Sequence, residues 1–118
     1  MSASMFQEFL ETKKIKFEGK DVQDKIIFLL TEYSIPFGKY SNKVVDIGIP
    51  IPKDFPNSAP YGLHIKKNHG FEEQIPNRNP SPLGEDWEFW SRGIKWDEPK
   101  VRTSQYYFDH INRWLEVV

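Results

Sequence analysis

Apolar positions first recur at helical spacing near the amino terminus, where Phe6, Phe9 and Leu10 precede Lys13 and Glu8 and Glu11 fall early; this predicts a helix over residues 5–13 with Ser4 as its cap. Residues 17–24 are polar and read as turn. Lys25 to Tyr33 is an apolar run without alternation, rich in Ile and Phe and closed by Ile35-Pro36, which fits a strand covered on both faces. After a turn over residues 37–43, Val45, Ile47, Ile49 and Ile51 alternate with Val44, Asp46, Gly48 and Pro50, the period of a half-buried strand whose apolar face lies on a helix. A third strand follows over residues 61–66, with Tyr61, Leu63 and Ile65 on one face and His64 and Lys66 on the other. Three consecutive strands with short links predict an antiparallel meander.

Between the last two strands stands Ile49-Pro50-Ile51-Pro52-Lys53-Asp54-Phe55-Pro56-Asn57-Ser58-Ala59-Pro60. Proline fixes φ, removes a donor and biases the preceding residue toward extended backbone, so the segment reads as a rigid, extended connector and neither helix nor central strand. Residues 68–84 lose all periodicity and hold Gly70, Pro76, Pro80, Pro82 and Gly84. A loop of this length is uncommon in a compact domain and is often functional; its plainer account is a proline-stiffened surface loop. In the aromatic stretch 86–96, Trp87 and Phe89 alternate around Glu88, which predicts a short extended segment. At the carboxyl end Thr103 or Ser104 caps a helix carrying Tyr107, Ile111, Trp114, Leu115 and Val118 on one stripe.

The elements add up to an α+β fold, and 118 residues suffice for one domain, 1–118, with a real core. Aromatics at 15% against 38% apolar residues make that core aromatic-rich. Charge is balanced on either side of Pro60 and nets to −1, which argues against nucleic acid or an anionic membrane as partner. The chain has no cysteine, so disulfides, cysteine metal sites and thiol catalysis are excluded. No apolar run reaches the ~20 residues of a membrane span, no signal-peptide core opens the chain, and Ser2 precludes myristoylation; a cytoplasmic location is expected.

The order helix, strands, proline connector, long loop, tryptophan segment and helix resembles the ubiquitin-conjugating-enzyme superfamily, and within it prokaryotic family E. Pro52-Lys53-Asp54-Phe55-Pro56 with Pro60 is similar to the proline-aromatic-proline connector of that fold. Ser34-Ile35-Pro36-Phe37-Gly38, Val44 to Ile49, and Trp90-Ser91-Arg92 with Trp96 extend the likeness over nearly the whole chain. Conventional members carry His-Pro-Asn shortly before a catalytic cysteine and a tryptophan with a nearby proline after it. Here Ile75-Pro76-Asn77 stands at the tripeptide, Gly84-Glu85-Asp86-Trp87-Glu88 occupies the cysteine region, and Trp96 with Pro99 resembles the later pair.

A thiolate is what makes the conventional chemistry work, because it attacks near neutral pH and its acyl ester stays reactive toward amines. Without one, the resemblance implies a non-catalytic module that binds a ubiquitin-like protein or its adenylating activating enzyme, with no cofactor. The expected binding residues are Phe71, Ile75, Asn77, Trp87, Trp90 and Arg92. One of Trp87 and Trp90 should be core and the other an exposed anchor. The enzymatic alternative is an acyl carrier that forms an oxyester at Ser91, with Arg92 as oxyanion-stabilising cation, His64 or His69 as base, and Asn77 polarising a carbonyl. Against it, Ser91 and Arg92 can simply satisfy backbone carbonyls beside buried tryptophans. His64, His69 and His110 have no metal-ligand spacing and are expected at the surface. Glu85, Asp86 and Glu88 read as a solvated acidic rim.

Overall fold

The computed structural model describes residues 3–71 and 78–117. Helix α1 (Ala3–Thr12) leads into strands β1 (Glu18–Val22), β2 (Lys25–Ser34), β3 (Val44–Pro52) and β4 (Leu63–Lys66). A 3-10 turn at Lys67–His69 and strands β5 (Arg78–Ser81) and β6 (Gly84–Trp90) come next, and helix α2 (Ser104–Glu116) ends the fold. All six strands form one antiparallel sheet in the order β1-β2-β3-β4-β6-β5. This is the α+β architecture that the sequence pattern predicts, and it is consistent with the ubiquitin-conjugating-type fold that the resemblance implies.

The alternation in β3 does what its period predicts. Val45, Ile47, Ile49 and Ile51 are buried in one cluster with Phe6 and Leu10 of α1 and with Tyr107, Phe108, Ile111 and Leu115 of α2. Full burial of such side chains contributes about 1.5–3 kcal/mol each. Helix α2 is held at its start by Thr103, whose Oγ1 accepts from the Tyr106 amide at 3.1 Å. Helix α1 already runs at Ala3, so Ser4 lies within it and is not its cap.

Two strands carry no apolar signal. β1, where polarity predicts turn, pairs from Glu18↔Leu29 to Val22↔Lys25 through a two-residue turn in which Gln23 takes φ 58°. As an edge strand with exposed side chains it has no face to bury, so no hydrophobic period marks it. β5, read as part of a structureless loop, is the opposite edge, and Pro80 sits where an edge strand tolerates it.

The proline segment departs from expectation in two ways. Pro50 and Pro52 belong to β3, a central strand, paired with Ile27 and Lys25 of β2. The ladder between β3 and β4 is registered only at Ile47↔Ile65 and Gly48↔His64, so beyond Gly48 the strand has a partner on one side, and alternate prolines are accommodated. The connector itself turns, with Phe55 N bonding Pro52 O and Asn57 N bonding Asp54 O, and with a cis Phe55–Pro56 peptide. It still joins neighbouring strands of one sheet. Tyr61 lies outside β4, since Gly62 turns the chain at φ 77° and brings the backbone against Phe89, where a Cβ would meet the ring at 2.3 Å.

The sheet face away from the helices is covered in part by the β5–β6 turn, whose Leu83 approaches Gly48: a Cβ on that glycine would lie 3.1 Å from Leu83 Cδ1. Ile27 on this face is fully buried, in keeping with a strand β2 covered on both sides along its first half. Among the described residues no helix is long and apolar enough to cross a membrane.

Candidate functional site

Strand β6 distributes its side chains by parity. Glu88 and Trp90 point toward the helices and are buried, whereas Trp87 and Phe89 lie half-buried on the other face. Trp90 is thus the core tryptophan, and Trp87 borders a cavity of about 570 Å³ shared with Lys67 and Arg78.

Glu88 is the centre of the buried face. It is 3% exposed and belongs to no solvated rim, while Glu85 and Asp86 are exposed as expected. Its Oε1 accepts from Arg78 Nε at 3.2 Å and Nη2 at 2.7 Å; its Oε2 accepts from Trp90 Nε1 at 2.8 Å and from His69 Nε2 at 3.1 Å. The Phe71 amide donates to His69 Nδ1 at 3.0 Å, which leaves the ring proton on Nε2, facing the carboxylate. Burial acts to raise the Glu88 pKa, but hydrogen bonds from Trp90, Arg78 and His69 outweigh it and hold the carboxyl below its ordinary range. Rings pack over this hub, with His69 stacked on Phe71 at 4.6 Å and Phe71 in turn 4.6 Å from Tyr40 and 6.1 Å from Trp90. His69, expected at the surface, is 5% exposed because Glu88, 19 residues on, supplies its partner.

The other expected site residues are spread over this scaffold. Phe71 and Trp90 are buried and lie beneath any contact surface. Arg92 sets its guanidinium 5.7 Å from the Trp90 ring centre and donates to the Ser91 carbonyl at 2.9 Å. Ser91 Oγ accepts from Asn79 Nδ2 at 2.8 Å. Ile75 and Asn77 lie outside the described residues.

No imidazole meets Ser91 among the described residues. His64, also expected at the surface, is 4% exposed and places Nδ1 2.8 Å from Ser81 Oγ. Burial, with the charge of Lys25 second, pushes its pKa down to about 4. The third histidine, His110, is half-buried on α2 and bonds the Tyr106 carbonyl. Arg78, Glu88 and Ser81 are the residues that sequence reasoning missed. The signal for Glu88 was present, since it shares the parity of Trp90.

The carboxyl-terminal part locks onto the proline connector. Trp96 donates from Nε1 to the Pro56 carbonyl at 2.7 Å, and its ring lies 5.7 Å from that of the buried Phe55. Arg102 Nε donates to the Trp96 carbonyl at 2.8 Å. A helix-backed antiparallel sheet, a proline-aromatic connector and a tryptophan folded back onto it define a ubiquitin-conjugating-type domain. The chain belongs to prokaryotic E2 family E, whose family model matches residues 4–118. Neither a curated protein nor a solved structure matches it. The chain has no thiol, so no thioester can form on it.

Proposed function

We propose that this chain is a non-catalytic, protein-binding member of a bacterial ubiquitin-like modification system, a pseudoenzyme working in the cytoplasm. The observation that carries the reading is a conjugating-type scaffold intact down to the Trp96–Pro56 contact in a chain without cysteine. Ser91 supports it as well, because its Oγ is engaged by Asn79 and has no imidazole to activate it among the described residues. The partner is a ubiquitin-like protein or its adenylating activating enzyme. Contact is made by Trp87 from the sheet face away from the helices and by Arg92 over the Trp90 ring, with Ile75 and Asn77, which lie outside the described residues, as further contact residues.

The test is incubation with a ubiquitin-like protein, the adenylating enzyme and nucleotide, followed by gel filtration and denaturing electrophoresis. Co-elution without a covalent adduct, weakened by Trp87→Ala, is the expected result. An adduct stable to thiol reductant, cleaved by strong base and lost in Ser91→Ala would replace the binder with an oxyester carrier. Neither association nor adduct would remove the ubiquitin-like partner altogether.

A further inference from the structure

Helix α2 buries Tyr107, Phe108, Ile111 and Leu115 against the core, and α1 covers one of its flanks, where Phe9 packs on Phe108 at 5.5 Å. On the other flank Tyr106, His110 and Trp114 follow at i, i+4 and i+8 and stay half-buried. Their rings form a row, 4.6 Å from Tyr106 to His110 and 6.5 Å from His110 to Trp114, which Trp96 extends at 6.1 Å from Tyr106. Val117 prolongs the row at its far end. Its amide donates to the Arg113 carbonyl at 3.2 Å, which keeps it on the helical path, and it is 73% exposed. The row is an unpartnered helix face.

Charge along one edge of the row says what fits it. Asp109 and Arg113 are exposed there, one turn apart. They are not closed on each other: Asp109 accepts from Gln105 Nε2 at 2.7 Å, and the Arg113 guanidinium has no ion pair among the described residues. A two-fold axis lying across the helix, level with Ile111, runs a second α2 antiparallel and sets the same edge of each row face to face. Asp109 stands two residues before that level and Arg113 two after it, so each Asp109 meets the Arg113 of the other copy. Tyr106 stands five before and Val117 six after, a mismatch of about 1.5 Å of helix rise, so each ring comes level with the other copy's Val117. One register satisfies the charges and the apolar row together, and the complement is the chain itself.

We propose that α2 is a homodimer interface: two copies of this chain pair antiparallel through Tyr106, His110, Trp114 and Val117, and two reciprocal Asp109–Arg113 ion pairs fix the register. A helix of 13 residues is about 20 Å long, so the interface is small and the dimer is weak and concentration-dependent. Helix α2 lies on one side of the sheet and Trp87 on the other, so the dimer turns both Trp87 faces outward and offers two equivalent contact surfaces. The pairing stands without any ubiquitin-like partner, because it needs only this chain.

The test is sedimentation velocity of the full chain up to millimolar concentration, where a reversible monomer–dimer equilibrium is expected. Asp109→Arg or Arg113→Asp sets like charges opposite each other twice and should raise the dissociation constant by about tenfold or more. Both side chains are exposed, so Tm should stay at the parent value. An equimolar mixture of the two variants restores both opposite-charge pairs and should dimerise as the parent does. A parent that is monomeric at millimolar concentration, a dimer that either reversal leaves intact, or a mixture that stays monomeric would each overturn the assignment.

Discussion

Trp96 and Pro56, 40 residues apart, are joined by one hydrogen bond from the indole to the proline carbonyl, and this bond ties the segment ahead of α2 to the connector that ends β3. The carbonyl stands in a partly buried setting beside Phe55, where a lost donor is poorly replaced by water. Trp96→Phe keeps the ring contact with Phe55 and removes only the donor. It should lower unfolding free energy by about 1–2 kcal/mol in urea titrations. A change within experimental error would mean that the contact is packing alone.

Glu88 makes the second prediction. Glu88→Gln preserves shape but replaces one acceptor oxygen by an amide donor that faces Arg78 on one side or Trp90 and His69 on the other. A loss of about 2–4 kcal/mol is expected by urea denaturation at pH 7. The pH dependence has a definite sign. The folded carboxyl titrates below its ordinary value of 4.5, so its contribution is complete above that pH and fades as the pH falls through the lower folded value. The variant should lack this acid-side loss, and an unchanged acid limb would place the sensitive carboxyl elsewhere.

What the chain disclosed in advance follows from where burial is one-sided. β3 and α2 were legible because alternate or third-and-fourth positions face one core, and Ile47, Ile49, Tyr107 and Ile111 are all in it. β1 and β5 were not, because edge strands with exposed side chains leave no period to read. The proline connector was placed correctly between two neighbouring strands, but proline chemistry alone could not say that β4 would pair with β3 for only two positions, which is what admits Pro50 and Pro52 to the strand. At the candidate site, Trp90 and Phe71 were picked out as aromatics yet lie inside. Polarity misled for Glu88, His64 and His69, because the partners of Glu88 (Arg78 and Trp90), of His64 (Ser81) and of His69 (Glu88) come from a hairpin the sequence did not announce.

His64 gives the last prediction. Its folded pKa of about 4 lies below the ordinary 6.5, so the unfolded chain binds a proton more readily throughout that interval. The stability tied to the neutral ring is complete above pH 6.5 and declines toward pH 4, a window that lies above the one set by Glu88. Between pH 7 and pH 5 the protein should lose about 2 kcal/mol by urea denaturation on this account, since each pH unit inside the window is worth up to about 1.4 kcal/mol. His64→Asn removes the titrating group and can no longer show that slope, whatever its stability at pH 7. If the variant and the parent lose stability in parallel over this range, the ring is not held neutral by burial beside Ser81.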